Sequence, residues 1–441
     1  MFRRTPRRFA TIGIIAFVAT VSDVAAQSWT ELTPAAGPPA PAARRNASAI
    51  LDPVDNRMVI FGGFAATFTN DIWAFDLDTN TWENLTPAPG PPAPAPRLFP
   101  ASVYDPHGHR MITWSGQGPG VFFNDVWAFD LDANTWSQFT PTGGPPNIRY
   151  GVGYAWDPLA RDLVTFAGFT NQGRFDDVWR FNDQASTWTD VSPVTNPLAR
   201  CLHAACYDPI DHRMIMYAGQ NNDGALDDIW ALDLATDTWT ELTPASMPAG
   251  RYFTALVYDA ANHRATVFGG QTTLAPVNEV WVFDLWSEAW TQLSPGGTPP
   301  SARWGSGGVY DGADDRMIVF GGFDSAVRND VWSLDGLSNT STGVRPSSAN
   351  AATLHPNHPN PFNPSTTIRF DLAARGDATL RIYDVHGRAV RTLFAGVADA
   401  GVTTLPWNGR DDAGRAAGSG VYFYRLETSS GTLSRKMVLL K

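Results

Sequence analysis

The stretch that decides the fold reads RMVIFGG at residues 57–63 and, after a variable loop, NDIWAFDLDTNTW at residues 70–82. It combines an apolar run that ends in two glycines with two tryptophans nine residues apart. A sixth copy has Trp332 but carries Ser341 where its second tryptophan would stand. Recurrence at this spacing predicts a repeat protein. The tryptophan pairs of the five complete copies are Trp73/Trp82, Trp127/Trp136, Trp179/Trp188, Trp230/Trp239 and Trp281/Trp290.

Each copy is predicted to form four strands, a to d. Strand a runs from an arginine to an aspartate, as in residues 44–52, and strand b precedes the glycines. Strand c carries the first tryptophan on an alternating apolar face, and strand d carries the second. Short turns join a to b and c to d, whereas long variable loops join b to c and d to the next a. A four-stranded unit repeated radially predicts an all-β fold, a six-bladed propeller.

Closure of this ring is predicted from the N-terminal end of the chain. Residues 28–33 read SWTELT and match strand d of the other copies. We expect this strand to complete blade six and to cover its open edge. The propeller would then occupy residues 27–335, and Trp29 would replace the tryptophan that the sixth copy lacks.

These residues resemble the Kelch family. The marks are the double glycine, the Asn-Asp-Ile/Val-Trp strand and the second tryptophan; residues 200–203 also read R-x-x-H, which opens many Kelch repeats. The resemblance covers residues 28–335 and implies the propeller fold. The family includes copper oxidases that hold the metal with two His and two Tyr. Since four of the five propeller histidines fall at or beside a–b turns, we predict no metal and no cofactor, and an enzyme is not the favoured interpretation.

The two ends of the chain differ in composition from the repeats. Residues 1–26 begin with arginines, continue as an apolar run and end in small residues, which predicts a secretory signal peptide. Residues 336–357 have the composition of a linker. Residues 358–441 contain several strand-like segments, which predict a small Ig-like β-sandwich.

The C-terminal segment resembles the type A sorting domain of type IX secretion substrates and the related Ig-like domain of flagellar hook-capping proteins. The residues that carry this resemblance include PNPFNPSTTI at 359–368 and KMVLLK at 436–441. It implies export by the Sec route, a secretion machinery as partner, and a final location outside the cell or on its surface.

Charge excludes one class of partner. Residues 27–344 contain 16 arginines, no lysine and 35 acids, so nucleic-acid binding is not expected. After residue 26 no segment is long and apolar enough for a transmembrane anchor.

The candidate site is the mouth formed by the b–c and d–a loops, since function tends to lie on variable loops of a rigid scaffold. Each repeat arginine can either contact a ligand there or pair with the strand-c acid of a neighbouring element. Aromatic and amide side chains follow the arginines and the glycines. The candidate ligand-binding residues are Arg97, Arg149, Arg200, Arg251, Arg303, Tyr150, Tyr252, Trp304, Phe64, Phe169, Phe323, Gln117, Gln220 and Gln271.

Together these patterns predict an exported or cell-surface binding or adhesion protein with a protein or glycan ligand at the loop face. A secreted carbohydrate-active enzyme or oxidase is the first alternative. A structural surface component is the second.

Overall fold

The computed structural model describes residues 27–34, 39–90, 92–260, 262–337, 352–355, 357, 360, 362–372, 374–384, 388–428 and 431–440. The predicted signal peptide and most of the predicted linker therefore lie outside the described residues.

Six four-stranded antiparallel sheets form the blades, each in the order a-b-c-d. Because neighbouring strands alternate in direction, the b–c loops and d–a connections share one face, called here the upper face. The a–b and c–d turns share the lower face. The strands are Ser48–Asp52, Arg57–Phe61, Ile72–Asp76 and Thr81–Asn84 in blade 1; Ala101–Asp105, Arg110–Trp114, Val126–Asp130 and Thr135–Gln138 in blade 2; Gly153–Asp157, Asp162–Thr170, Gly173–Asn182 and Thr187–Asp190 in blade 3; Ala204–Asp208, Arg213–Tyr217, Ile229–Asp233 and Thr238–Leu242 in blade 4; Ala255–Asp259, Arg264–Phe268, Val280–Asp284 and Ala289–Leu293 in blade 5; and Gly307–Asp311, Arg316–Phe323, Val327–Asp335 and Ser28–Glu31 in blade 6.

The blades close into a ring around an axis lined by their a strands. Each a strand contacts the a strands of both neighbours, and blade 6 contacts blade 1 in the same way. Hydrophobic clusters fill the spaces between blades, where sheets face each other. Phe61 of blade 1 packs at 4.9 Å against Trp136 of blade 2, and Trp82 packs at 5.1 Å against Phe320 of blade 6. Burial of these repeat aromatics holds neighbouring blades together.

The outer strand of blade 6 comes from the other end of the chain. Ser28–Glu31 pairs antiparallel with Val327–Asp335, and Trp29 lies opposite Leu334. On its other side, the Trp29 main-chain N–H donates to Gly296 of the blade 5 connection at 3.0 Å. The Trp29 side chain is 5% exposed and packs against Phe268. The strand is thus held by two neighbouring blades.

Strand a is shorter than predicted. The structure begins it four residues after the arginine, at Ser48 in blade 1 and Ala204 in blade 4. The reason is a left-handed residue two positions after each arginine, for example Leu202 with φ of 62°. A strand cannot continue through that conformation. Cys201 therefore precedes the strand that contains Cys206, and both are buried free thiols.

Two further short ladders lie on the upper face. Gln117–Gly118 pairs with Val121–Phe122 in the b–c loop of blade 2. Arg251–Tyr252 pairs with Gln271–Thr272 in blade 5.

The C-terminal domain is a sandwich of two antiparallel sheets. Its boundary differs from the prediction, because Ala352–Leu354 pairs with Thr366–Leu372 and Leu354 is buried in the sandwich core. Residues 352–354 therefore belong to the domain and not to the linker. One sheet contains Ala352–Leu354, Thr366–Leu372 and Gly401–Trp407, and the other contains Ala389–Ala398, Gly376–Asp384, Gly420–Thr428 and Gly431–Leu439.

This domain meets the propeller at the lower face of blade 5. Trp286, in the c–d turn of that blade, lies 5.2 Å from the ring of His355. The guanidinium of Arg369 lies 5.8 Å from the ring centre of Trp286. Within the described part of the chain, no helix has the length and apolarity needed to cross a membrane.

Candidate functional site

A buried arginine begins each repeat, and the structure places it beside the strand-c acid of its own blade. Arg97 donates two hydrogen bonds to Asp125, at 2.6 and 2.9 Å. The Trp127 indole N–H donates to the same carboxylate at 2.7 Å. Each blade thus contains an arginine–acid–tryptophan clamp. The other clamps join Arg44, Asp71 and Trp73; Arg149, Asp177 and Trp179; Arg200, Asp228 and Trp230; Arg251, Glu279 and Trp281; and Arg303, Asp330 and Trp332.

This geometry corrects the prediction that the repeat arginines contact a ligand. The six side chains are at most 2% exposed. The guanidinium of Arg97 also donates to the carbonyls of Ala95 and Ser115, so most of its N–H groups are already used. Their role is structural, with the acid in the same blade and not in a neighbouring element. The predicted ligand-binding residues that the structure instead buries are Arg97, Arg149, Arg200, Arg251 and Arg303.

The clamps perturb their carboxylates. Burial acts to raise the pKa of Asp125, but the hydrogen bonds and charge of Arg97, together with the Trp127 indole, outweigh burial and hold that pKa below its ordinary value. The same balance lowers the pKa of Asp71 and of Glu279. These acids stay ionised in the folded protein.

The main chain of each arginine also joins adjacent blades. The second glycine of blade 1, Gly63, donates its N–H to the carbonyl of Arg97 in blade 2 at 2.8 Å. The same bond closes the ring, since Gly322 of blade 6 donates to Arg44 of blade 1 at 2.9 Å. A β-carbon on Gly63 would lie 2.9 Å from the carbonyl oxygen of Arg45, and φ there is +103°. Glycine is required at this position by both space and conformation.

The predicted aromatic and amide residues come together as a second set of contacts on the upper face. Phe64 pairs with Arg45, Phe169 with Tyr150, and Phe323 with Trp304 through antiparallel bridges. The nine predicted aromatic and amide side chains are all half-buried, so each presents part of its surface to solvent. These residues remain in the candidate site. They are Phe64, Gln117, Tyr150, Phe169, Gln220, Tyr252, Gln271, Trp304 and Phe323.

One row of residues at the mouth was missed by the sequence reasoning. It lies two positions after each arginine, and every member has a left-handed backbone. This conformation turns the chain across the axis, where main-chain hydrogen bonds join the row; Phe99, for example, donates to Asn46 at 2.9 Å. Glycine or asparagine in three of the six copies was the available signal. The row is Asn46, Phe99, Gly151, Leu202, Phe253 and Gly305.

Aromatic rings of this row form a stack across the mouth. Phe99 and Phe253 lie 5.1 Å apart with their planes 7° from parallel. Tyr150 extends the stack on one side, 5.6 Å from Phe99, and Trp304 extends it on the other, 4.8 Å from Phe253. Phe122 stacks on Tyr150 at 5.5 Å. Five rings from four blades thus make a continuous platform.

Two arginines on the upper face differ from the others in having no carboxylate partner among the described residues. Of the propeller's 16 arginines, 14 form ion pairs within the described residues, and the exceptions are Arg45 and Arg174. The Arg45 guanidinium lies 5.0–5.2 Å from the ring centres of Phe64, Trp304 and Phe323. Burial lowers the pKa of Arg45, which means that its charge is incompletely solvated.

Arg174 lies at the start of strand c in blade 3. Its guanidinium is 5.4 Å from the ring centre of Phe169, and it donates to the side-chain oxygen of Asn222 at 2.6 Å. It also lies next to the thiol of Cys201, whose pKa is raised by burial. Cys201 is 1% exposed, so it offers no reactive group at the mouth.

Exposed apolar side chains surround the platform. They lie at the tips of b–c loops and in d–a connections, and all are at least 43% exposed. They are Val121, Ile148, Val194, Leu198 and Leu274. The lower face also has exposed apolar side chains, Val54 and Leu159.

Two clusters of side chains of the types that bind metals lie on the lower face. Asp52, Asp55 and His109 form one group of close ligand atoms on the lower face, and a second group lies around Asp208. In the first group, Arg57 already binds Asp52 at 2.9 Å and Asp55 at 2.8 Å. Both carboxylates of this group are thus already paired with a guanidinium.

The comparisons with known proteins agree with this architecture. The KLHDC2/KLHL20/DRC7 Kelch-repeats domain matches residues 18–196 and 192–355, which is most of the chain. The FlgD Ig-like domain matches residues 362–432.

Individual relatives share the repeats at low identity. The dynein alpha chain of the flagellar outer arm from Chlamydomonas reinhardtii is 24% identical over 63% of this chain. The leucine-zipper-like transcriptional regulator 1 homolog of Drosophila melanogaster is 27% identical over 51%, and Kelch domain-containing protein 10 of Xenopus tropicalis is 27% identical over 45%. The chain spans 7%, 24% and 49% of those three proteins, respectively.

Proposed function

The chain belongs to the Kelch-repeat family, and on that premise we propose that its propeller binds a protein ligand, with the upper face as the docking surface. The ligand presents carboxylates to Arg45 and Arg174 and apolar side chains to the aromatic platform.

The observation that carries this proposal is the contrast among the arginines. Within the described residues, 14 of the propeller's 16 arginines form ion pairs, although acids outnumber arginines in this domain. A guanidinium left without an acid in such a chain has unused N–H donors in a fork that fits a carboxylate. Both of these arginines lie on the face that also carries the exposed apolar residues around the platform.

The platform supplies the apolar part of the contact. Rigid aromatic side chains give a large contact area at a low entropic cost, and they are the usual anchors of protein interfaces. Leu274 is 95% exposed and Val194 is fully exposed, so burying these two side chains under a ligand would remove the most apolar surface from water.

We also propose that the protein is exported and acts in adhesion outside the cell or at its surface. Support comes from the basic, apolar and small-residue order of residues 1–26 and from the C-terminal motifs. On this proposal the FlgD-like domain engages a type IX secretion machinery.

The test is a selection with the whole chain. A random peptide library displayed on phage and a glycan array are each probed with the purified protein. We expect peptides rich in Asp and Glu near apolar residues to be enriched, and R45A/R174A to lose them. The matched control is R328A, an exposed upper-face arginine that already pairs with Asp324. Enrichment of glycans alone, or of peptides without acids, contradicts the proposal.

A further inference from the structure

The axial channel is closed on one side and open on the other. Phe99 and Phe253 belong to opposite blades, and their stacked rings cross the axis at the upper mouth. Beneath them lies a cavity of ≈ 150 Å³. Tyr154 and Leu256 line both this cavity and a second one of ≈ 410 Å³, which extends to the lower mouth. A small molecule can therefore enter the channel from the lower face.

Aromatic side chains dominate the walls of the lower cavity. Five blades each contribute one ring from the penultimate position of strand a, and blade 1 contributes Leu51. Among the described residues that line the cavity, none is charged. The five rings are Tyr104, Trp156, Tyr207, Tyr258 and Tyr310.

Carboxylates stand directly behind these rings. An aspartate follows each of the five rings and also Leu51 of blade 1, and all six aspartates are at most 1% exposed. Tyr258 is desolvated and lies next to Asp208, and both burial and this carboxylate raise the pKa of the phenol. Tyr310 has the same relationship to Asp259. Neighbouring carboxylates thus add to burial in raising the pKa of both phenols.

Arginines near this mouth pair with the aspartates and lie outside the cavity lining. Arg57 pairs with Asp52 and donates to the Leu131 carbonyl of the next blade, and Arg316 pairs with Asp311 and donates to the Leu77 carbonyl. Their guanidinium groups thus point between blades and do not line the cavity. The acids of the a–b turns, Asp55, Asp211 and Asp314, also pair with arginines of their own blades.

We propose that the lower mouth of the channel is a binding site for a small organic ammonium ion, held by the faces and edges of the five rings. Electron-rich rings attract cations that shed water easily. Ca²⁺ and Mg²⁺ need several oxygen ligands, and the described residues that line this cavity include no carboxylate.

The experiment is a calorimetric titration of the whole chain with choline and with dimethylbutanol, its uncharged carbon isostere. Choline should bind at least tenfold more tightly, because only it gains the cation–π attraction to the rings. Sodium chloride and calcium chloride at equal ionic strength should weaken choline binding to the same extent. Equal affinity for the two isosteres, no choline binding up to tens of millimolar, or specific displacement by calcium overturns the proposal.

Variants locate the site. Y207F keeps the ring and should bind choline as the unaltered chain does, whereas Y207L should lose most of the binding. W304A alters the upper face and should leave choline affinity unchanged. Melting curves check that each variant is folded. If Y207L does not fold, the comparison of the two isosteres on the unaltered chain still decides.

Discussion

Arg44 and Arg45 are consecutive residues with opposite environments. The side chain of Arg44 is 1% exposed and binds Asp71 through two hydrogen bonds, at 2.6 and 2.8 Å. Arg45 has no acid partner within the described residues and lies among three aromatic rings at the upper mouth. The first arginine belongs to the repeat and builds the blade. The second varies between copies and remains available to a ligand.

The clamps predict a large stability difference between the two kinds of arginine. R97A leaves the Asp125 carboxylate and several carbonyls without their donor, so we expect a loss of about 3 kcal/mol in the free energy of unfolding. R45A removes no ion pair and should cost less than about 1 kcal/mol. Urea unfolding measures both. Similar losses for the two variants would refute the division of roles.

Closure of the ring by the N-terminal strand predicts that Trp29 is essential to stability. W29A empties a site between blades 5 and 6, which should cost about 3–5 kcal/mol and lower the melting temperature. E31A is the matched control, because Glu31 lies on the same strand with an exposed side chain. A melting temperature for W29A equal to that of E31A would contradict this account.

Low pH should reduce the contribution of the buried strand-a aspartates, such as Asp208, to the stability of the fold. Burial acts to raise the pKa of Asp208, but hydrogen bonds and charge from His263 and Arg213 outweigh it and lower the pKa to about 2. A folded pKa below the unfolded value stabilises the protein above about pH 4, and this contribution is lost as the pH falls toward 2. Its size is about 2 kcal/mol.

The variant D208N isolates the contribution of Asp208 to the pH dependence of stability. It should be less stable than the unaltered chain at pH 7, and the difference should shrink as the pH falls from 4 to 2. Unfolding free energies across this range provide the measurement, with D223N in an exposed b–c loop as the control. A difference that stays constant down to pH 2 would show that Asp208 is not responsible.

The spacing of the repeat predicted the all-β fold because its recurring residues are the ones that pack the blades. The glycines stand where a β-carbon would meet a neighbouring main chain, and the tryptophans fill the spaces between blades. Repeat position also indicated the displaced outer strand, since Trp29 stands in a copy of strand d at the far end of the chain. In the structure this strand pairs with Val327–Asp335.

The candidate site was less predictable, for two physical reasons. An arginine that recurs in every repeat is compatible with both burial and ligand contact. The structure shows that its N–H groups donate to partners inside the blade. The left-handed turn that brings Phe99 and Phe253 over the axis is unusual for bulky residues. Phenylalanine at positions 99 and 253 does not indicate a left-handed turn, whereas glycine at the equivalent positions 151 and 305 does.

The most direct test of the central claim is a double-mutant cycle by calorimetry. An acidic peptide from the selection and its Asn/Gln counterpart are titrated into the unaltered chain, R45Q, R174Q and the control R328Q. We predict that R45Q or R174Q weakens the acidic peptide at least tenfold, that the amide peptide is affected little, and that R328Q binds normally. Equal loss for both peptides, or unchanged affinity in R45Q and R174Q, would contradict the account.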